Sequence, residues 1–349
     1  MSRTGLVVGK FCPLHLGHQR LIEFAEARCD RLLIVSYTKP EFEGCGVADR
    51  ARWLEQLYPQ ATRLVVDDAA LAAFATRTAG TPRRVPHNDA PEAEHRAFTA
   101  WLCHQMLGAS VDVVFTSEAY GDGFAAALTE LFAAERRGAP PVEHVCFDRD
   151  RREVPISGTA VRADPSAHRA LLADVVAASL VRRVAIIGGE SSGKTTLAAA
   201  LAQDFGTRWV AEYGRELWEA RDGRLDYDDL LQIARTQAAR EEAALASAAG
   251  WLFCDTTPLV TAFYSRIMFG ALDPQLETLA GRAYHHTLVC APDFAFVQDG
   301  TRRDAAFRQA QHDWYLAALD AAGVPYTVLG GALVDRVVAA RTALLPFTS

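Results

Sequence analysis

The chain has 349 residues, half of them hydrophobic, with 36 basic against 43 acidic side chains and a formal net charge of −7. That length predicts two domains, each able to bury its own core, and the acidic balance counts against a nucleic-acid-binding surface. No apolar run approaches the ~20 residues of a membrane span. The N-terminus leads into a strand without a signal-peptide pattern, so a cytoplasmic protein is expected. Cys12, Cys29, Cys45, Cys103, Cys146, Cys254 and Cys290 are scattered with no C-x-x-C pair, which predicts free thiols rather than disulfides or zinc ligands.

In chain order, Gly5 to Val8 predicts the first strand, followed by Gly9-Lys10-Phe11-Cys12-Pro13-Leu14-His15-Leu16-Gly17-His18. Helical periodicity then runs through Leu21, Ile22, Phe24 and Ala25. Two histidines three apart, at a strand-to-helix junction, form a cationic or hydrogen-bonding clamp. Gly17 lets a phosphate approach the backbone, and the helix N-terminus adds its dipole. Of the 36 basic residues only Lys10, Lys39 and Lys194 are lysine. A sequence that uses arginine as its ordinary cation marks a surviving lysine as a place where a compact ammonium is wanted.

Strands and helices alternate onward as a parallel sheet requires. Strands are predicted at Arg31 to Tyr37, Leu64 to Val66, Val111 to Thr116 and Val142 to Phe147, and helices at Arg50 to Tyr58, 92–107 and 122–136. Lys10, His15, His18, Lys39, Ser117 and Glu118 would gather at the carboxyl ends of these strands, where open α/β sheets bind ligands. The stretch 77–91, with Arg77, Arg83 and Arg84, is expected to be a mobile loop. Ile156-Ser157-Gly158-Thr159-Ala160-Val161-Arg162 follows, then a helix expected over 165–181 that closes the first domain.

The second half opens with a strand, Val184 to Ile187, entering Gly188-Gly189-Glu190-Ser191-Ser192-Gly193-Lys194-Thr195-Thr196 and then an Ala/Leu-rich helix. Gly188, Gly193, Lys194 and Thr195 fill the fixed positions of the phosphate-binding loop G-x-x-x-x-G-K-S/T. Backbone N–H groups there point at a polyphosphate, Lys194 reaches its outer phosphates, and Thr195 offers a hydroxyl to Mg²⁺. This half is therefore expected to bind a nucleoside triphosphate. Further on, a strand from Arg208 to Ala211 ends at Glu212, and an apolar strand from Trp251 to Cys254 closes on Asp255 in the form of a Walker B element. A helix is predicted from Tyr227 to about Ala249, another from Pro258 to Phe269, and a strand from Phe294 to Val297. Arg302 and Arg303, with Arg308, suggest an arginine lid over a transferring phosphate. Trp209, Tyr213 and Trp218 offer rings that could stack on a base, although core packing is the commoner fate of such residues.

The first motif, G-x-F-x-P-x-H-x-G-H, and the second, I-S-x-T-x-x-R, resemble the signatures of the nucleotidyltransferase superfamily. Their union with a C-terminal P-loop resembles the NadR family, in which a nicotinamide mononucleotide adenylyltransferase is fused to a ribosylnicotinamide kinase. The resemblance covers nearly the whole chain. It implies a Rossmann-like nucleotidyltransferase domain over 1–179 and a P-loop kinase domain over 180–349, both α/β with parallel sheets. It further implies ATP and Mg²⁺ as cofactors, ribosylnicotinamide and its mononucleotide as substrates, and no nucleic-acid or membrane partner; a homo-oligomer is left open. The helix-turn-helix repressor domain of some members is not expected here, since the first strand begins at Gly5.

By the same resemblance His18 contacts the α-phosphate, His15 helps hold the triphosphate, and Ser157, Thr159 and Arg162 grip the outer phosphates; Lys10 is expected among the catalytic residues and Gly9, Phe11, Gly17 and Lys39 among those binding ATP. An acceptor that is already a phosphate monoester needs no base, only stabilisation of gathering negative charge. A ribose hydroxyl must lose a proton, so the kinase half needs a carboxylate. Asp255 is expected as the Mg²⁺ partner and Glu212 as the base, with the reverse division left open. Two rival readings remain: a fused transferase and kinase for another small substrate, and a nucleotide sensor with one inactive half. Intact His15, His18 and Lys194 count against the sensor.

Overall fold

The computed structural model describes residues 2–118, 120–133, 138, 140–150, 152–293 and 305–345. The chain divides into two compact units, 1–179 and 180–349. Among the described residues no helix is long and apolar enough to cross a membrane, and all seven cysteines are free thiols.

The first unit is built from β1 (Thr4–Val8), α1 (Leu16–Glu26), β2 (Arg31–Ser36), α2 (Val47–Leu57), β3 (Thr62–Val65), α3 (Asp68–Thr78), α4 (Glu92–Trp101), β4 (Val113–Thr116), α5 (Gly121–Leu131), β5 (Glu143–Cys146), α6 (Gly158–Ala163) and α7 (Asp174–Ser179). All strand pairs are parallel, in the order β3-β2-β1-β4-β5. Leu6, Leu33, Val35 and Val114 pack with Leu71, Phe98, Phe124 and Leu128 in one cluster. Their neighbours Val7, Ile34 and Phe115 are buried as well, so both faces of the sheet are covered, as parallel sheets require. The order reverses direction between β1 and β4, which opens a crevice beyond their carboxyl ends.

The second unit comprises β6 (Arg182–Gly188), α8 (Lys194–Asp204), β7 (Arg208–Val210), α9 (Tyr213–Ala220), α10 (Tyr227–Leu245), β8 (Trp251–Asp255), α11 (Pro258–Phe269), α12 (Pro274–Ala280), β9 (His286–Cys290), α13 (Ala305–Ala322), β10 (Tyr326–Leu329) and α14 (Leu333–Leu344). Its sheet is also parallel, in the order β10-β9-β6-β8-β7. Val184 and Ile186 pack with Leu197, Leu201 and Leu344, while Ile187 packs oppositely with Val260, Phe263 and Tyr315. The period-2 alternation of one strand thus divides its burial between two helix layers.

Several expectations change. The helix expected over 165–181 is broken into a short 3-10 turn at Arg169–Leu171 and α7. Leu172 is extended and forms an antiparallel bridge with His15, which removes its backbone from any helix. The helix expected at 92–107 is regular only to Trp101 and continues as a π-helical turn, Leu102–Met106. The stretch 77–91 begins inside α3 and is tied down: Val85 N–H donates to Asp68 at 2.8 Å, Asn88 N–H donates to the Lys39 carbonyl at 2.7 Å, and Arg83 lies over Trp101. The helix expected at 122–136 starts at Gly121 and is regular to Leu131. The strand expected at 294–297 lies outside the described residues.

Arg336 on α14 is 1% exposed and donates to the carbonyls of Ser192 at 2.8 Å, Ala291 at 3.1 Å and Gly331 at 3.0 Å, and to the Asp293 carboxylate. It ties the turn after β6 to the ends of β9 and β10. Removing one member of such a buried charge network costs about 3–5 kcal/mol, because its partners stay buried and unpaired. Arg336→Met should therefore lower the thermal unfolding midpoint of the 180–349 unit by several degrees in calorimetry, and an unchanged midpoint would contradict this role.

Candidate functional sites

In the first unit the turn after β1 and the start of α1 wall a cavity of about 520 Å³ lying beyond the β1 and β4 ends. Gly9, Lys10, Phe11, His15, Gly17, His18, Ser117, Glu118, Ser157, Thr159 and Arg162 all line it. His15 caps α1 and its ring stacks on His18, with centroids 3.7 Å apart and planes 19° apart. The His15 N–H points at His18 Nδ1 at 3.4 Å. Phe11 meets His18 edge-on, fixing the ring from the other side. The histidines therefore act as one stacked unit at a helix N-terminus, where a phosphate finds both N–H donors and the positive end of the dipole.

Ser157 caps α6 through Ala160 N–H at 3.1 Å. Arg162 donates to Thr159 Oγ1 at 3.1 Å and to the Cys12 carbonyl, and its guanidinium lies 4.1 Å from the Phe42 ring centroid. The second signature is thereby bound to the first.

Sequence reasoning missed the far wall of this cavity. Tyr37 Oη lies 3.2 Å from both His95 Nδ1 and Thr99 Oγ1, and all three residues line the cavity with Asn88, Arg96 and Tyr120. Burial pushes the Tyr37 phenol up to about 12. Burial first and the Lys10 charge second hold the His95 imidazole below its usual range, so the ring is neutral at pH 7. A tyrosine at the carboxyl end of β2 was the available signal, but periodicity marks it only as core.

Lys39 is a correction. It does not line the cavity, and its ammonium is paired with Asp68 of α3 at 2.6 Å. Its backbone N–H meets Asn88 Oδ1 at 3.3 Å, so the chain past β2 is fastened toward α3 and the 85–88 stretch. Lysine scarcity was a poor guide to this residue.

In the second unit the loop after β6 carries three residues of positive φ, Gly188 at 152°, Ser191 at 57° and Gly193 at 82°. A Cβ on Gly188 would stand 2.7 Å from the Cys290 carbonyl, so glycine is required there for close approach as well as conformation. Lys194 Nζ donates to the Gly189 carbonyl at 3.1 Å, curling over its own loop. Glu190 is held by Tyr264, whose hydroxyl donates to its carboxylate at 2.9 Å, and by Gln311, which accepts its N–H at 2.9 Å. Ser192 Oγ donates to the Gly189 carbonyl at 2.8 Å, and Thr196 lies in the first turn of α8.

Asp255 ends β8, paired in register with Ile186 just before the loop. It is 0% exposed, accepts the Thr195 hydroxyl on Oδ2 at 2.6 Å, and leaves Oδ1 buried without a hydrogen-bond partner. Burial raises its proton affinity, opposed by Lys194 and the Thr195 hydrogen bond. Glu212 lies just past β7 as the N-cap of α9. Burial raises its carboxyl, Lys194 opposes this, and the charge of Asp255 raises it again. One ammonium and two carboxylates thus share a confined space around the loop. Arg302 and Arg303 lie outside the described residues, whereas Arg308 on α13 is buried against Gly189 of the loop. Trp209 packs on the core and the Tyr213 ring lies under Arg240, the structural outcomes for aromatics beside a strand.

Because Lys39 is engaged away from the cavity, Lys39→Ala should leave ATP affinity at the first unit within about twofold of wild type, since exposed ion pairs contribute little. Loss of ATP binding by calorimetry in the Lys194→Ala background would restore Lys39 to the site.

A family model described as an AAA domain matches residues 183–336. The trifunctional NAD biosynthesis/regulator protein NadR of Salmonella typhimurium is 28% identical over 317 residues, covering 86% of this chain and 72% of that protein. Its counterpart in Escherichia coli is 28% identical over 314 residues, covering 85% and 71%. A crystal structure of NadR protein in complex with NAD and AMP-PNP aligns with a TM-score of 0.69 at 21% identity, covering 100% of this chain and 97% of that one. A second, in complex with NR, gives 0.66 at 22% identity and covers 100% and 96%. The chain is thus similar in sequence to both NadR proteins along most of its length and in fold to both NadR structures.

Proposed function

We propose that the 180–349 unit phosphorylates ribosylnicotinamide from ATP. The 1–179 unit, as a Rossmann-like nucleotidyltransferase, then moves the adenylyl group of a second ATP onto the mononucleotide, giving NAD and pyrophosphate. The observation that carries this reading is that each unit has a phosphate-binding edge complete within itself: the stacked His15–His18 pair over its cavity, and the loop of Lys194 and Thr195 beside Asp255. The strand order β3-β2-β1-β4-β5 supports a Rossmann-like domain. The relatives' name refers to NAD biosynthesis, and the two NadR structures hold NAD, AMP-PNP and NR.

The two chemistries make different demands on protons. In the first unit the attacking group is a phosphate monoester already ionised at neutral pH, so Lys10, His15, His18 and Arg162 need only offset negative charge on the α-phosphate and the departing pyrophosphate. In the second unit a ribose hydroxyl must be deprotonated as it attacks. Glu212, whose carboxylate burial makes more basic than usual, is suited to accept that proton.

The buried orphan Oδ1 of Asp255 and the Thr195 hydroxyl are a donor set that fits Mg²⁺. Those two residues would hold the ion, which supplies charge neutralisation at the β- and γ-phosphate oxygens. Lys194 would leave the Gly189 carbonyl for the outer phosphates, while the loop N–H groups hold the chain of phosphates in line.

Incubating the purified protein with ATP, Mg²⁺ and ribosylnicotinamide should yield the mononucleotide and then NAD by chromatography. Absence of both products would refute the proposal. The two activities should also separate. Lys194→Ala should abolish riboside phosphorylation while leaving mononucleotide conversion nearly intact, and His18→Ala should do the reverse. A folded variant of either kind that lost both activities would be incompatible with two independent sites. Glu212→Gln and Asp255→Asn should each slow the kinase at least ~100-fold, the scale for loss of a general base or metal ligand. Adenylyl transfer should not respond, and kinase rates within a few-fold of wild type would take both carboxylates out of the mechanism.

A further inference from the structure

His144 of β5 belongs to neither signature, yet both of its ring nitrogens are engaged beside the first cavity. Nε2 lies 2.9 Å from Thr116 Oγ1 and Nδ1 lies 2.8 Å from Asp122 Oδ1. Thr116 ends β4 and Asp122 lies in the first turn of α5, so the imidazole grips both ends of the connection between them. The contact is built into the backbone, because a Cβ on Gly121 would stand 1.9 Å from His144 Nε2. Only glycine lets the ring lie against the turn. The His144 side chain is 9% exposed and that of Asp122 is 92% exposed, so the chain of contacts runs from solvent inward to the cavity wall.

At its inner end the relay reaches the backbone of Glu118. Thr116 Oγ1 lies 3.1 Å from the Glu118 carbonyl oxygen and accepts the Glu118 N–H at 3.4 Å. Ser117, Glu118 and Tyr120 all line the cavity. A carboxylate is out of keeping with the phosphate-binding wall of Lys10, His15, His18 and Arg162, since it repels phosphate. It matches the hydroxyl donors of a ribose. We infer that His144 is a positioning residue which, through Thr116, holds Glu118 against the ribose hydroxyls of a nucleotide in this cavity.

The inference rests on the adenylyl-transfer reading of the first unit. Two riboses enter that reaction, one on ATP and one on the mononucleotide, and both present the same hydroxyl chemistry. Steady-state adenylyl transfer with each nucleotide varied in turn distinguishes them. His144→Ala should raise the KM of one nucleotide about tenfold, as expected for loss of one or two supporting hydrogen bonds, with kcat within about threefold. Thr116→Val should raise the same KM by a similar factor, and Thr116→Ser, which keeps the hydroxyl, should restore it. The double variant His144→Ala/Thr116→Val should be no worse than either single one, because the two act as a unit.

Asp122→Ala changes only the solvent end and guards against a folding failure of the buried variants. It should raise the same KM about threefold, in keeping with a partly exposed contact. Both KM values unchanged, a fall in kcat alone, or additive effects in the double variant would overturn the inference. Calorimetric titration of mononucleotide and of ATP into the same variants, in a Lys194→Ala background, supplies a readout independent of turnover. Unchanged Kd values there overturn the role of His144, whereas a wild-type protein that binds both nucleotides but makes no dinucleotide sinks the adenylyl-transfer reading instead.

Discussion

Arg50 and Arg336 carry full charges with 0% and 1% of their surfaces exposed, a state tolerable only when the guanidinium is met by well-placed acceptors. Arg50 donates to the Glu41 carboxylate at 2.7 and 2.8 Å, to Ser36 Oγ at 2.8 Å and to the Cys45 carbonyl at 3.0 Å. Ser36 passes the restraint on by donating to the Lys10 carbonyl at 3.2 Å, in the turn that carries the first signature. Arg336 reaches the phosphate-binding loop directly at the Ser192 carbonyl. In each unit a buried arginine thus joins separate loops at the ligand edge of the sheet, Arg50 through a carboxylate, a hydroxyl and one carbonyl, Arg336 through three carbonyls and a carboxylate. A planar fork with five donors can join several separate loops where a point-charge lysine could not.

The two edges differ in the charged groups they gather. The first lines its cavity with imidazoles, an ammonium and guanidinium groups, and its two signatures contain no carboxylate; Glu92, Glu118 and Asp148 enter the lining from outside those signatures. The second sets Glu212 and Asp255 around Lys194 and Thr195. Burial raises both carboxyls, and the nearby ammonium lowers them again. A carboxylate held in such a balance is suited to accept a proton.

Part of the first cavity's lining comes from β2 and its carboxyl end, α4 and the β4–α5 connection, far apart in sequence. Tyr37, His95 and Thr99 meet there only because β2 lies beside β1 and α4 packs across the same sheet face. Burial favours the neutral imidazole of His95 and the un-ionised phenol of Tyr37. Arg96 and Glu92 of α4 join them in the lining, so this part of the cavity mixes neutral and charged groups.

What the sequence by itself determined was local: an apolar run of period 2, a turn that glycine permits, and a helix start, which together mark β1 with His15 and His18 and β6 with Lys194 and Thr195. Strand-end carboxylates such as Asp255 were legible for the same reason, since an apolar run closing on one acidic residue is a pattern within a few positions. Only tertiary structure decided the fate of isolated residues. Lys39 looked like a phosphate ligand by scarcity, but its neighbour in space is Asp68, 29 positions on in α3. Leu172 reads as helical by composition, but its backbone is claimed by a bridge to His15. His144 carries no local signal, because its partners Thr116 and Asp122 are brought to it by the pairing of β4 with β5. A side chain whose partners are set by chain neighbours can be read along the chain; one whose partners are set by strand order cannot.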